Sequence, residues 1–241
     1  MYRSKSFLCV IPARGGSKGL PDKNILPLAG KPLICRAIDT AKKSGIFDRI
    51  IISTDSEKIA ALVRKHGLEV EYMQPPELAT DKSVVRDVMI NVLKWVKETD
   101  KQYDYVQLLE CTSPLLTHQD IFRAAKMLTD KKADMVISVC QSHIPLGVSR
   151  PLGENLSLKG FLPKEIRNLN RQQIRDTYQL NSAIYIGKWD IFAEGKDFYE
   201  QEVFAYIMPE ERSVHIDDQT DFAIAESYLK GKQWLKSILS R

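Results

Sequence analysis

Residues 9 to 24 read Cys-Val-Ile-Pro-Ala-Arg-Gly-Gly-Ser-Lys-Gly-Leu-Pro-Asp-Lys-Asn, which sets Arg14, Lys18 and Lys23 on a glycine-rich loop just after the apolar run Phe7 to Ile11. Cations and bare amides at a strand end are chemistry for a polyanion. Gly15, Gly16 and Gly19 let the backbone leave the strand with N–H groups free to approach phosphate oxygens. Neither of the two common phosphate loops is present. A Walker loop needs Gly-Lys followed by Ser or Thr, whereas Lys31 is followed by Pro32 and Ile25 stands where the first glycine belongs. The three loop glycines also break the G-x-G-x-x-G order. A basic glycine-rich turn can be a solvated surface loop, but cations at 14, 18, 23 and 31 beside a strand end favour a ligand.

Two acidic positions could complete such a site. Val214-His215-Ile216-Asp217-Asp218 precedes the last helical segment, and a carboxylate there suits Mg²⁺, which is held by one or two carboxylates together with substrate phosphates. Asp218 reads equally as a helix cap, while Asp217, alternating with Ile216, points away from the core. Glu110 ends an apolar strand, where a charge is costly unless it is paired or ligating. A salt bridge there explains it as well as ligand contact does. Arg171, Gln172, Gln173, Asn181 and Tyr185 form a polar set suited to a hydroxyl-rich sugar or to an ordinary hairpin surface. His66, His118, His143 and His215 are scattered, and none is assigned as a catalytic base; no Gly-x-Ser-x-Gly turn occurs.

The elements that position these residues alternate in the rhythm of β-α-β units. Strands are expected at Phe7 to Ile11, Arg49 to Ser53, Val70 to Met73, Tyr105 to Leu109, Met135 to Val139, Ser182 to Ile186 and Val203 to Met208. Helices are expected at Pro32 to Ser44, Glu57 to His66 with Gly67 closing it, Val84 to Val96 with Asp81 or Ser83 as cap, Gln119 to Leu128, a short turn near Trp189, and about Thr220 to Leu239. Between Gln141 and Tyr178 prolines and glycines interrupt the pattern, so residues 141–178 read as a loop and hairpin excursion from a single domain spanning 1–241.

Composition excludes several classes. With 241 residues, 44% hydrophobic and 27% charged, one large α/β domain is accommodated, and a net charge of +4 with interleaved acids does not indicate nucleic-acid binding. Cys9, Cys35, Cys111 and Cys140 lack CxxC spacing and read as buried, reduced thiols of a cytoplasmic protein. No apolar run approaches the roughly twenty residues a membrane span needs, and no cleavage-site pattern follows the first strand.

Taken together, Ile11-Pro12-Ala13-Arg14-Gly15-Gly16-Ser17-Lys18-Gly19 with Lys23-Asn24, Gly30-Lys31-Pro32-Leu33, Ile52-Ser53-Thr54-Asp55, Pro76-Glu77-Leu78-Ala79-Thr80-Asp81, Thr112-Ser113-Pro114-Leu115 and Asn181-Ser182-Ala183-Ile184-Tyr185-Ile186 resemble the acylneuraminate cytidylyltransferases over nearly the whole chain. The resemblance implies a three-layer, Rossmann-like nucleotidyltransferase fold with a mostly parallel sheet, the excursion serving a homodimer. It implies that CTP and an acidic nine-carbon sugar, with Mg²⁺, give a CMP-sugar and pyrophosphate. Arg14, Lys23 and Asp217 would be catalytic. Arg14, Gly15, Gly16, Ser17, Lys18, Lys23, Asn24, Gln74, Thr80 and Ser83 would bind the nucleotide; Glu110, Thr112, Ser113, Arg171, Gln179, Asn181 and Tyr185 the sugar; and Asp217 with Glu110 the metal.

Five positions depart from the family's usual residues: Gln74 replaces Arg, Glu110 replaces Gln, His215 replaces the first Asp of Asp-Ile-Asp, and Gly147 and Gln179 stand where sialate-binding relatives carry Lys and Arg. Losing two cations removes partners for a sugar carboxylate, which points from ordinary N-acetylneuraminic acid toward a related nonulosonic acid of legionaminic type. Glu110 is expected to supply the acidic metal contact that His215 no longer gives. A transferase for another nucleotide or 3-deoxy-2-ulosonic acid is the nearest alternative, and a catalytically silent nucleotide-binding homologue the next. The absence of an Asp-x-Asp strand end argues against a glycosyltransferase.

Overall fold

A computed structural model describes residues 2–17, 19–80, 83–144, 148–164, 167 and 176–239, the side chains of 232–239 excepted. Its strands are β1 (Phe7–Pro12), β2 (Pro27–Leu28), β3 (Lys31–Pro32), β4 (Arg49–Thr54), β5 (Tyr72–Met73), β6 (Tyr105–Leu108), β7 (Met135–Ser142), β8 (Thr177–Lys188) and β9 (Val203–Ile207). The helices are α1 (Leu33–Ser44), α2 (Glu57–Lys65), α3 (Val85–Thr99), α4 (His118–Asp130), α5 (Trp189–Ala193) and α6 (Gln219–Leu239).

The main sheet runs β5-β4-β1-β6-β8-β7-β9, and β2 and β3 form a separate antiparallel pair. Every pairing in the main sheet is parallel except those made by β8, which is antiparallel to both neighbours. The carboxyl ends of β1, β4 and β6 therefore share one edge, where ligand sites of open α/β sheets gather. β1 is apolar without alternation because both its faces are covered: Phe7, Cys9 and Ile11 pack with α1, α2, α4 and α6, and Leu8 and Val10 with α3 and α5. Helix–sheet–helix layering follows, as expected for the α/β class.

Helix ends follow local chemistry. The Ser56 hydroxyl accepts from the Ile59 amide to start α2, and Gly67 follows its end at φ 80°. Thr117 and Asp120 form a reciprocal capping box on α4. α3 corrects the expectation for its cap: Val84 occupies that position without a side-chain bond, because the Ser83 hydroxyl turns to Thr80 Oγ1 at 2.8 Å and Glu77 O at 3.1 Å. Asp81 lies outside the described residues.

β7 and β8 are longer than the apolar pattern suggested. They continue as a hairpin arm in which Cys140 faces Gln179, Gln141 faces Tyr178 and Ser142 faces Thr177. The arm passes beyond the covering helices, so backbone pairing and not apolar alternation defines it. Below the arm the register breaks between Ile137, opposite Tyr185, and Val139, opposite Leu180. Ser182 takes φ 56° in this bulge, and the Ser138 hydroxyl pins it, donating to Asn181 Oδ1 at 2.5 Å and accepting from the Ile184 amide at 2.8 Å.

Candidate functional site

At the carboxyl edge, a cavity of about 520 Å³ gathers four separate segments: Arg14, Ser17, Lys23 and Asn24 after β1; Gln74, Thr80 and Ser83 after β5; Glu110 and Thr112 after β6; and His215 and Asp217 before α6. The loop after β1 is held by its backbone. The Ala13 amide donates to Ser53 O at 2.8 Å, and the Gly15 amide to Asp55 Oδ1 at 2.8 Å. A Cβ on Gly15 would lie 2.8 Å from Ser56 Cβ, so glycine is required there for close approach. Asn24, buried, donates through Nδ2 to Arg14 O at 3.0 Å, closing the loop on itself. Arg14 reaches across the cavity and donates from Nη1 to Thr80 O at 2.8 Å.

The same loop grips the acidic wall. Lys23 donates from Nζ to Ile216 O at 2.7 Å and lies 3.6 Å from Asp217 Oδ1. A Cβ on Gly19 would come within 2.5 Å of Asp217 O. The segment alternates as expected: Ile216 is buried, with its amide donating to Thr112 O at 2.8 Å, and Asp217 is 76% exposed on its side chain. Asp218 is the cap of α6, its Oδ1 accepting from the Thr220 and Asp221 amides at 2.7 and 3.0 Å, while Asp221 Oδ2 accepts from Asp217 and Asp218.

His215 stands between two carboxylates, with Nδ1 3.9 Å from Glu110 Oε2 and Nε2 3.4 Å from Asp217 Oδ1. Its Nδ1 is buried and makes no hydrogen bond. Burial pushes the Glu110 carboxyl above its ordinary range; the nearby imidazole and the Thr112 hydroxyl, donating at 3.2 Å, work against that rise. Among the described residues no group of three or more His, Cys, Asp or Glu is arranged to hold a metal. The donors present are carboxylate oxygens, one of them open to the cavity, which fits a hard cation taking the remainder of its shell from phosphates and water. The His215 imidazole lies between the Glu110 and Asp217 carboxylates.

Other expected residues are distributed differently. Gln74 is buried on the cavity wall with both amide ends engaged, Oε1 accepting from Ser53 Oγ at 3.1 Å and Nε2 donating to Leu78 O at 2.5 Å. Thr80 and Ser83 bond one another. Among the described residues, no atom beyond its chain neighbours lies within 4 Å of a Cβ on Gly16. Ser113 and Asn181 are buried away from the cavity lining: Ser113 donates to Ser182 O at 3.3 Å, and Asn181 Nδ2 donates to Ser213 Oγ at 2.9 Å. Gln179 is exposed on the hairpin arm, and Lys18, Gly147 and Arg171 to Gln173 lie outside the described residues. Tyr185 packs its ring on Phe198 with centroids 6.1 Å apart. Phe198 lines a second cavity, of about 290 Å³, with Met89, Leu108, Phe192 and Tyr199; Val85 borders both cavities. Sequence reasoning gave Asp55 no role in the site, although an acid just past a strand end was the signal; Gly19, expected to free the backbone for an anion, also lies against Asp217 O.

A family profile described as Cytidylyltransferase matches residues 8–219. The N-acylneuraminate cytidylyltransferase of Escherichia coli is 36% identical over 220 residues, covering 91% of this chain and 51% of that protein, so the chain spans about half the length of this relative. The CMP-N,N'-diacetyllegionaminic acid synthase of Legionella pneumophila is 34% identical over 236 residues, covering 94% and 97%. The pseudaminic acid cytidylyltransferase of Campylobacter jejuni is 28% identical over 223 residues, covering 92% and 96%. A solved CMP:2-keto-3-deoxy-manno-octonic acid synthetase complexed with CTP superposes at TM-score 0.69 and 15% identity over 94% of this chain and 99% of that one, a likeness of fold.

Proposed function

The chain belongs to the cytidylyltransferase family, and from that premise we propose that it transfers CMP from CTP to an acidic nine-carbon sugar with release of pyrophosphate. The observation that carries this reading is the meeting of Arg14, Ser17, Lys23 and Asn24 with Asp217 on one cavity. The triphosphate lies along the loop after β1, where the Arg14 and Lys23 charges and the Ser17 amide and hydroxyl neutralise and orient it. The anomeric hydroxyl oxygen of the sugar attacks the α-phosphorus in line, the bond to the bridging α–β oxygen breaks, pyrophosphate departs, and the hydroxyl proton is released. Catalysis is then positioning and charge neutralisation by Arg14 and Lys23. Mg²⁺, held by Asp217 with Glu110 as a further carboxylate, would supply additional neutralisation of the triphosphate. Gly16 lets the backbone approach the phosphates, Gly15 shapes the turn with its amide held by Asp55, Lys18 supports the phosphates, and Gln74, Thr80 and Ser83 border the base.

The sugar lies toward Glu110, Thr112 and Tyr185, with the apolar cavity beyond Tyr185 able to receive acyl substituents. Ser113 and Asn181 act indirectly here, by holding the bulge beneath it. Gln179 belongs to the arm, which we assign to a homodimer contact completing the sugar site, and Arg171 is assigned to the sugar as well. The departures at Gly147 and Gln179, and similarity to a legionaminic acid synthase over nearly the whole of both chains, support an acceptor of legionaminic type. Four free, buried cysteines suit a cytoplasmic setting. Among the described residues no helix is long and apolar enough to cross a membrane.

Pyrophosphate release from CTP, screened against sialic, legionaminic, pseudaminic and 3-deoxy-octulosonic acids and repeated with ATP, GTP and UTP, tests this reading. Turnover is expected with CTP, highest with a legionaminic-type acid. CTP binding without turnover on any of the acids would overturn it in favour of a silent nucleotide-binding protein.

A further inference from the structure

The acidic wall of the cavity is suspended from an ion pair outside it, between a fully buried Asp120 and a half-buried Arg212. Asp120, on the first turn of α4, is 0% exposed, and both its oxygens are used. Arg212 donates to them from Nε at 3.0 Å and Nη2 at 2.8 Å, Tyr206 from its hydroxyl at 3.0 Å, and Thr117 from its amide and hydroxyl at 3.1 and 2.6 Å. Arg212 ends the one-turn 3₁₀ helix Glu210–Arg212, and from there to Asp217 the chain forms no helix or strand. A stretch without internal hydrogen bonding of its own takes its course from its anchors. Asn181 holds Ser213, Thr112 and Lys23 hold Ile216, and the fork of Arg212 on Asp120 fixes where the stretch begins.

Fold stability alone is a weak reason for this pair. Well-packed apolar residues in place of a buried ion pair are often neutral or stabilising, because desolvating two charges is expensive. A planar fork on a fixed carboxylate does something apolar packing does not: it sets direction.

We propose that Asp120 and Arg212 are positioning residues for the Asp217 carboxylate, holding the segment 213–217 so that Asp217 faces Lys23 and the triphosphate loop. This rests on the nucleotide and cation reading of the cavity given above. The pair touches neither substrate nor cation and acts through the backbone it steers.

The test compares the parent chain with Arg212→Lys, which keeps the charge and loses the fork, and with the double variant Asp120→Asn/Arg212→Met, which removes both charges and retains volume. Thermal melting, CTP binding by calorimetry with EDTA or graded Mg²⁺, and hydrogen exchange at the Ile216 amide are measured. The double variant is expected to melt close to the parent and to bind CTP in EDTA as the parent does. Its half-saturating Mg²⁺ rises roughly tenfold to a hundredfold, and the Ile216 amide exchanges faster. Arg212→Lys falls between, and serves alone if the double variant does not fold. Unchanged Mg²⁺ dependence and exchange in a variant that folds would overturn the proposal, as would an equal loss of CTP affinity in EDTA. A parent whose CTP binding is indifferent to Mg²⁺ would sink the cation reading itself, and that outcome is visible before any variant is made.

Discussion

Lys23 joins the two walls of the cavity, since its ammonium bonds the Ile216 carbonyl and sits beside Asp217 while lining the cavity with Arg14, Ser17 and Asn24. A charge-assisted contact to phosphate is worth about 1.5–3 kcal/mol, so Lys23→Ala should lower kcat/KM for CTP by roughly 10- to 150-fold; steady-state kinetics with a fixed acceptor measures it. Glu110 presents a narrower question. If its carboxylate meets the cation, Glu110→Gln raises the Mg²⁺ needed for half-maximal turnover several-fold with little change in the KM for CTP. An unchanged Mg²⁺ profile would exclude the contact and leave Glu110 as a partner of His215. Arg14 and Lys23 were singled out as cations after a strand end and Asp217 as an acid ahead of the last helix, and the fold brings all three to one cavity. Asn181 could not be judged in this way. Its amide serves the Ser138 bulge and Ser213, contacts made by residues 43 and 32 positions away.

Two segments must keep their spacing for the cavity to work, and Gly19 is where they touch. With no room for a Cβ beside Asp217 O, Gly19→Ala should part the phosphate loop from the acidic wall. A displacement near 1 Å costs about 10²-fold in rate, and the predicted loss is in kcat with the fold intact by circular dichroism. The α4 end of the positioning pair has a pH signature. Burial acts to raise the Asp120 carboxyl, but donors from Arg212 and Thr117 outweigh it and hold the group below its ordinary value of 3.8. Because the folded value is the lower one, the unfolded chain takes up the proton first. The pair's contribution is present above pH 3.8 and is lost as pH falls through the depressed native value. Acid unfolding of Asp120→Asn/Arg212→Met should therefore depend less steeply on pH below that point. Periodicity revealed most helices and strands, since their apolar faces cover a single sheet. It missed how far β7 and β8 run into the expected hairpin excursion, and it missed the α3 cap, where polar backbone pairing and hydroxyls turned elsewhere set the outcome.

The excursion and the hairpin arm expose several apolar side chains, Ile144, Leu152, Leu156, Leu158, Tyr178 and Leu180, to solvent. Exposed apolar surface of this kind is characteristic of an interaction face, and a twofold partner is the commonest way to cover one. Leu180→Asp is expected to convert a dimer to a monomer in sedimentation velocity and to weaken acceptor use more than CTP use, while the melting temperature of the sheet stays near that of the parent. A parent that sediments as a fully active monomer would exclude the assignment of the arm to a dimer contact.

Order along the chain was sufficient for the α/β layering and for setting the basic glycine-rich loop at a strand end and the acidic residue ahead of the last helix, because each depends on neighbours within a few positions. The antiparallel placement of β8, the interposition of His215 between Glu110 and Asp217, and the suspension of that wall from Asp120 came only with the folded chain. Each of these joins residues tens of positions apart or more, through packing and hydrogen-bond geometry that local residue pattern does not encode.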